Sequence, residues 1–208
     1  MSHNILERPP ARSRAPRREK ISAPPQVHVV RVMGALSVND RPARSTKPLE
    51  LLTALSLAGG RMGRDALMRR LYLSIACDSA IPTLCYRLRK MGIQVQYDSA
   101  TGTYVLGSEV KIDALTILDL LRLGDVRSAL DIWGGPCLAL SDSPLAQALR
   151  ANLEQAMVTE VLDSEDPELV RRAARLLDSL ELAEALAQSR DDARSAILAQ
   201  SYVAGTLA

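Results

Sequence analysis

The sequence predicts an α+β region followed by an all-helical region. As far as about residue 112, short β-branched segments alternate with amphipathic helical segments, and the remainder shows helical periodicity throughout. The chain has no Phe and one Trp, so its cores must be built from aliphatic side chains, which favours helices. Residues 1–111 hold 18 Lys/Arg against 8 Asp/Glu, and residues 112–208 hold 8 against 16. This asymmetry predicts two domains with different partners.

The first 26 residues are predicted to be a disordered basic arm. Pro and Arg dominate this segment, and few apolar side chains are available for burial. Such an arm either adds non-specific affinity for phosphates or is a solvated tail.

The predicted α+β domain spans 27–112 and begins with a small antiparallel sheet. Residues 27–33 are rich in β-branched side chains and predict a strand. Asn39-Asp40 predicts a turn, and a short return strand is expected at 41–43.

Two helices are predicted after this sheet. The first covers 48–57, with Thr46 as its cap, and the second covers about 64–73. The segment 59–63 contains three glycines but lacks the Gly-Lys-Ser/Thr ending of a phosphate-binding loop. It therefore predicts a plain turn between the two helices.

The segment 81–91 predicts a third helix with a cationic outer face. Ser79 is its predicted cap, and Pro82 is tolerated because it lies in the first turn. Apolar side chains recur every three or four positions, at Ile81, Leu84, Cys85, Leu88 and Met91. The opposite face then carries Thr83, Tyr86, Arg87 and Lys90, with Arg89 on the flank.

A β-hairpin is predicted directly after this helix. Ile93, Val95 and Tyr97 alternate with glutamines, the segment 98–102 predicts a turn, and 103–106 predicts the return strand. A cationic helix backed by a core and followed by a hairpin is how a winged helix-turn-helix presents itself to DNA. By itself, a basic helix face is equally typical of solvated surface, so the prediction depends on the whole series of elements.

Candidate DNA contacts follow from the phase of the third helix. Arginine pairs bidentately with guanine, and Thr or Tyr contacts thymine methyl groups or phosphates. Base contacts are predicted for Thr83, Arg87, Tyr86 and Lys90. Phosphate contacts that set the register are predicted for Arg44, Lys47, Arg61, Arg64 and Arg89. The wing comprises Asp98, Ser99, Thr101 and Thr103.

The chain resembles the SARP family of Streptomyces antibiotic regulatory proteins. The resemblance covers about 27–162 and rests on two unrelated segments in the family's order. The first segment contains VRVMGALSVNDRPA, KPLELLTALSLAGGRMGRDALMRRLY, IPTLCYRLRKMGIQV and TGTYVLGSEVKID, and resembles an OmpR-type winged helix. The second begins RLGDVRSALDIWGGPCLAL and resembles a bacterial transcriptional activator domain, with the family's signature at Ile132, Trp133, Gly135 and Pro136.

The resemblance implies a promoter-binding activator that contacts RNA polymerase and binds direct repeats as a head-to-tail homodimer. Three positions depart from the family pattern. The wing tip carries Asp98 and no cation, the recognition helix is about a residue short, and Tyr72 stands where the family usually has Trp. These departures bear on affinity and site preference rather than on the fold. The activator domain is also shorter than usual.

Residues 113–208 are predicted to form an all-α, tetratricopeptide-like domain. Approximate helices are 114–123, 126–133, 144–162, 167–189 and 191–203. Trp133, directly before two glycines and a proline, is predicted to fill the core at a helix end, although it could also anchor a partner.

Composition excludes several other classes of protein. The three cysteines and two histidines lack metal-ligand spacing, and no catalytic set or complete Gly-rich loop is visible. No metal, cofactor or enzymatic activity is therefore expected. No apolar run approaches the roughly 20 residues of a membrane span. Reduced cysteines and the absence of a signal sequence predict a cytoplasmic protein without membrane contact.

The sequence as a whole predicts a sequence-specific transcription regulator. Double-stranded DNA is its predicted partner, bound by a homodimer because one winged helix has a small footprint. The alternative is an interaction adaptor whose winged helix has lost specific DNA readout. The acidic wing tip and the short helical half favour that alternative. The operator and the sign of regulation are left open.

Overall fold

The computed structural model describes residues 27–74 and 77–188. Within them, short strands alternate with helices as far as residue 112, and helices alone follow. The predicted order of a mixed α/β region and a helical region is therefore confirmed. The predicted basic arm at 1–26 and the predicted helix at 191–203 lie outside the described residues.

Seven strands form two small sheets in the described part of the chain. They are β1 (His28–Arg31), β2 (Ser37–Val38), β3 (Arg41–Pro42), β4 (Arg61–Gly63), β5 (Val95–Asp98), β6 (Thr103–Leu106) and β7 (Val110–Ile112). The first sheet has the order β3-β2-β1-β7, and the second has the order β4-β6-β5. All pairings are antiparallel except that of β1 with β7, which is parallel.

Eight helices lie in the same described ranges. They are α1 (Thr46–Leu57), α2 (Arg64–Leu71), α3 (Ala80–Lys90), α4 (Asp113–Arg122), α5 (Val126–Ile132), α6 (Pro144–Asp163), α7 (Pro167–Ala173) and α8 (Leu180–Gln188). Asp125, Ser143 and Asp166 each accept a hydrogen bond from a backbone N–H in the first turn of the helix that follows. These caps satisfy donors that have no partner within a helix, and they explain where α5, α6 and α7 begin.

The sequence does not predict strands β4 and β7. Residues 59–63 were expected to be a plain turn, but Met62 pairs with Tyr104 of β6 and is buried. Strand β7 pairs with β1, and Ile112 lies opposite Val30. Both strands pair with segments that are distant in sequence. A turn between neighbouring strands, which sequence can indicate, is therefore absent.

Two details of the predicted helices are wrong, and a third is right in position only. Thr46 lies inside α1, and Ser45 occupies the cap position without a side-chain bond. Ser79 does precede α3, but its carbonyl, not its hydroxyl, accepts bonds from the Thr83 backbone N–H and Oγ1, at 3.0 and 2.8 Å. The predicted helix at 167–189 is two helices.

The chain turns between α7 and α8 around a buried residue. Leu177, in the segment that joins the two helices, is buried, and its N–H donates to the Ala173 carbonyl at 2.8 Å. The Ser179 hydroxyl then accepts a bond from the Leu182 N–H at 3.4 Å at the start of α8. Helical periodicity continues through the turn, which is why sequence pattern alone joins the two helices.

The two regions share one apolar core. Buried aliphatic side chains of the sheets, of α1 to α3 and of α4 to α8 form a single cluster. Trp133 is buried in it, as predicted for a side chain that fills the core. Backbones also meet directly: the Leu138 N–H donates to the Val32 carbonyl at 2.8 Å, and the Gly34 N–H donates to the Pro136 carbonyl at 3.1 Å.

No helix among the described residues combines the length and the apolar character that crossing a membrane requires.

Candidate nucleic-acid interface

Helix α3 has one buried side and one solvent-facing side. Ile81, Leu84, Cys85 and Leu88 are buried against the core. Thr83, Tyr86, Arg87, Arg89 and Lys90 are exposed. The predicted division of the helix into an apolar face and a cationic face is confirmed.

The exposed face of α3 keeps its positive charge available. In the described part of the chain, Arg87, Arg89 and Lys90 form no ion pair with a carboxylate. The Lys90 ammonium group lies 5.1 Å from the centroid of the Tyr86 ring, a cation–π distance. The Thr83 hydroxyl donates to the Ser79 carbonyl, so its methyl group and acceptor lone pairs remain for a ligand.

The inner face of α3 carries no reactive group. Burial raises the pKa of the Cys85 thiol to about 11, so the thiol stays protonated near neutral pH. A protonated, buried thiol packs as a small apolar side chain. The chemistry of α3 therefore lies on its exposed side.

The turn between β5 and β6 is held by its own side chains. Asp98 accepts hydrogen bonds from the Ala100 N–H at 3.1 Å and from the Thr101 hydroxyl at 2.8 Å. The hydroxyls of Thr101 and Thr103 are 2.7 Å apart. The Thr101 bond is the main reason that the pKa of Asp98 is lowered, so this carboxylate stays ionised at neutral pH. Ser99 is exposed at the tip.

Two of the predicted phosphate contacts are engaged in ion pairs. The Arg61 guanidinium lies 3.6 Å from the Asp98 carboxylate, which ties β4 to the tip of the hairpin. Arg64 pairs with Asp78, and that hydrogen bond raises the pKa of the arginine. Both pairs are solvent-exposed, so each costs little to open in favour of a phosphate.

Lys47, a third predicted phosphate contact, is engaged within the protein. Its ammonium group donates to Glu50 at 2.8 Å and to the Leu71 carbonyl at 2.7 Å, and lies 5.1 Å from the centroid of the Tyr72 ring. Glu50 is only 1% exposed, and its second oxygen accepts from the Ser141 hydroxyl at 2.7 Å. The lysine thus neutralises a buried carboxylate that links the two regions, beside a cavity of about 430 Å³.

Four further cations are exposed arginines. Arg44 and Arg89 were predicted as phosphate contacts, and neither has an ion-pair partner among the described residues. The sequence prediction missed Arg69 and Arg70, which are exposed in the last turn of α2 and likewise lack a carboxylate partner there. In the sequence, two consecutive arginines lie between the apolar Leu67 and Leu71, and this helical spacing indicates that the arginines are on the exposed side of α2.

The described residues contain no group of three or more His, Cys, Asp or Glu side chains arranged to hold a metal ion. Comparisons with protein-family models and with curated proteins gave no match to this chain.

Proposed function

We propose that this protein is a sequence-specific, DNA-binding transcription regulator of the SARP type. The observation that carries the proposal is the exposed face of α3, where three cations without carboxylate partners among the described residues precede the β5–β6 hairpin. In this proposal α1, α2, α3 and the hairpin form a winged helix-turn-helix. Helix α3 enters the major groove, and the hairpin is the wing.

The proposed roles of the cations depend on whether each one is exposed and whether it already forms an ion pair within the protein. Arg87 and Lys90 on the outer face of α3 contact base edges, together with Thr83 and Tyr86. Arg44 and Arg89 hold phosphates without reading sequence. Arg61 and Arg64 contribute phosphate contacts once their exposed ion pairs open, whereas Lys47 stays with the buried Glu50.

For the helical region we propose a tetratricopeptide-like activator domain. The short helices α4, α5, α7 and α8 packed around the long α6 support this assignment. The domain would contact RNA polymerase or a second protomer, and the protein would act as a homodimer on promoter repeats. This activity belongs to the bacterial cytoplasm, at the nucleoid.

The proposal is tested by selecting binding sites from random double-stranded oligonucleotides at about 150 mM salt, where non-specific binding is weak. We expect enrichment of a half-site repeated at a spacing of one helical turn. Binding without any enriched motif, lost steeply as salt rises, would contradict sequence-specific recognition.

Replacing Arg87 by alanine is expected to weaken binding to the selected site by about 1–3 kcal/mol and to relax the base preference at one position. The reason is the loss of a bidentate contact to a base edge. Affinity for selected and mutated sites measures this effect. Arg122→Ala is the matched control, since Arg122 is also exposed but lies on α4. Equal affinities for the two variants would remove Arg87 from the readout.

Replacing Asp98 by asparagine is expected to raise non-specific DNA affinity. The change removes a negative charge from the hairpin tip and releases Arg61. One additional phosphate contact makes the plot of log K against log salt steeper by about 1, which corresponds to roughly tenfold tighter binding near 0.1 M salt. Asp119→Asn, an equal charge change on α4, serves as the control. Identical salt plots for both variants would place the hairpin away from the DNA.

An interaction adaptor is the second candidate. The observation that favours it is the acidic, internally bonded hairpin tip, together with Leu73 and Leu140, whose side chains are 75% and 89% exposed beside one cavity. Failure to bind any DNA at low salt would select this candidate.

A further inference from the structure

A second open cavity lies where the C-terminal end of α3 meets the first sheet. Its volume is about 510 Å³, and its polar lining comes from His28, Asn39, Arg41 and Lys90. Gly92 lies at its edge with a φ of +89°, and a Cβ there would lie 3.2 Å from Cε1 of His28. Glycine therefore both ends α3 and keeps this wall of the cavity clear.

The hydrogen bonds around His28 determine its tautomer. The Asn39 side-chain oxygen accepts from the Val29 N–H at 3.0 Å, which fixes the orientation of the amide. The amide nitrogen then lies 3.0 Å from Nδ1 of His28 and donates to it. Because Nδ1 is an acceptor, the proton of the neutral ring is on Nε2.

The Nε2–H group of His28 is a donor without an acceptor in the described part of the protein. The residue is only 6% exposed and lines the cavity, and no hydrogen bond to Nε2 occurs within the described ranges. Nε2 is not among the fully buried, unpartnered polar atoms of the described residues, so this donor is accessible and can donate to a ligand acceptor.

The charges around the cavity have one sign. Arg41 and Lys90 line it, and neither forms an ion pair within residues 27–74 and 77–188. No Asp or Glu of the described residues lines the cavity. The adjacent carboxylate, Asp40, pairs with Arg31 at 3.0 Å. The cavity thus has two cationic residues and one histidine N–H donor in its lining, and its described lining holds no competing anion.

We propose that this cavity is a binding site for a phosphate oxyanion. One phosphate oxygen accepts from Nε2–H of His28, and the Arg41 guanidinium and the Lys90 ammonium neutralise the charge. Two sources supply this chemistry: a free or esterified phosphate of a small molecule, or the backbone phosphate of a nucleic acid. The volume is that of a small-molecule site.

The site also connects to α3. Lys90 lies over the Tyr86 ring on the outer face of α3, while also lining the cavity. An anion in the cavity attracts the Lys90 ammonium group and changes its position on that face. Binding of phosphate itself needs no DNA, so the site stands or fails independently of the proposed transcriptional function.

The test is a titration of the full-length, isotope-labelled protein with inorganic phosphate at constant ionic strength, using chloride as the reference. Nuclear magnetic resonance reports the His28 ring nitrogens, the Arg41 side chain and the Gly92 amide; His3→Gln removes the signals of the other histidine. A second arm uses a random DNA duplex at several salt concentrations. Arg41→Gln is the test variant, and Arg122→Gln is its charge-matched control.

We expect saturable shifts of these resonances with phosphate, and roughly tenfold weaker binding in Arg41→Gln than in Arg122→Gln. A backbone phosphate is the occupant if the resonances shift with DNA but not with inorganic phosphate. In that case the slope of log K against log salt for DNA binding should fall by about 1 in Arg41→Gln and stay unchanged in Arg122→Gln. The proposal is overturned if neither arm moves the three reporters, or if Arg41→Gln behaves as Arg122→Gln in both arms. A His28 ring protonated at Nδ1 instead of Nε2 would also overturn it.

Discussion

Replacing Gly34 by alanine is expected to lower the free energy of unfolding by about 4 kcal/mol or more, enough to unfold many domains. A Cβ at Gly34 would lie 2.0 Å from the carbonyl oxygen of Gly134, and the residue has a φ of +66°. The obstruction is backbone, which cannot rotate away as a side chain does. The contact lies where the first sheet meets the segment after Trp133, so relief requires the two regions to separate.

Urea unfolding of Gly34→Ala measures this effect, and Gly59→Ala provides the matched control. Gly59 has a φ of +69°, but a Cβ added there would have no described atom within 4 Å. The free energy of unfolding of Gly59→Ala should fall only by the cost of holding an alanine in the left-handed conformation, about 1–2 kcal/mol. If the two variants lost the same amount, the close approach of Gly34 and Gly134 would contribute nothing to stability.

Replacing Asp113 by alanine is expected to cost about 2–4 kcal/mol of unfolding free energy, because partly buried N–H groups lose their acceptor. The Asp113 carboxylate accepts from Val32 at 2.8 Å, from Met33 at 3.1 Å and from Ala114 at 2.8 Å. It therefore holds the end of the first sheet strand to the start of α4. Asp119→Ala, an exposed position on the same helix, should change stability by no more than about 0.5 kcal/mol.

The pH dependence of the Asp113 effect has a defined sign. Burial raises the pKa of this carboxyl above its ordinary 3.8, against the lowering effect of its three N–H donors. The folded chain then binds the proton more readily than the unfolded chain. The part of the stability that comes from this raised pKa is complete below the ordinary value and is lost as pH rises through the folded-state pKa, whereas the N–H bonds to the carboxylate remain. The measurement is the free energy of unfolding of wild type and of Asp113→Ala at several pH values. If the difference between them grew as pH rises, the N–H bonds would lower the pKa of Asp113 by more than burial raises it.

Much of the candidate interface could be predicted because its pattern is local. The three-to-four spacing of Ile81, Leu84 and Leu88 determines which side of α3 is buried, and hence that Arg87 is exposed. The hairpin followed from alternation and from a turn whose Asp98 bonds lie within the turn itself. Such features need no knowledge of distant partners.

The state of the individual cations could not be predicted in the same way. Lys47 was predicted to contact phosphate, but its ammonium group pairs with the buried Glu50, which also accepts a hydrogen bond from Ser141 of the helical region. Arg61 was expected to lie in a turn, but β4 brings it beside Asp98. Each outcome depends on a residue tens of positions away, and sequence periodicity carries no information on such pairs.

By itself, the sequence determined the order of the α/β and helical regions, the amphipathic faces of the helices and the helix starts at Val126 and Pro144. These follow from side-chain periodicity and from hydrogen bonds between near neighbours. Only the tertiary structure decided the parallel pairing of β1 with β7, the backbone contact at Gly34 and the contact between His28 and Asn39. These arise when burial of one shared core brings distant segments together and leaves their polar groups to find partners.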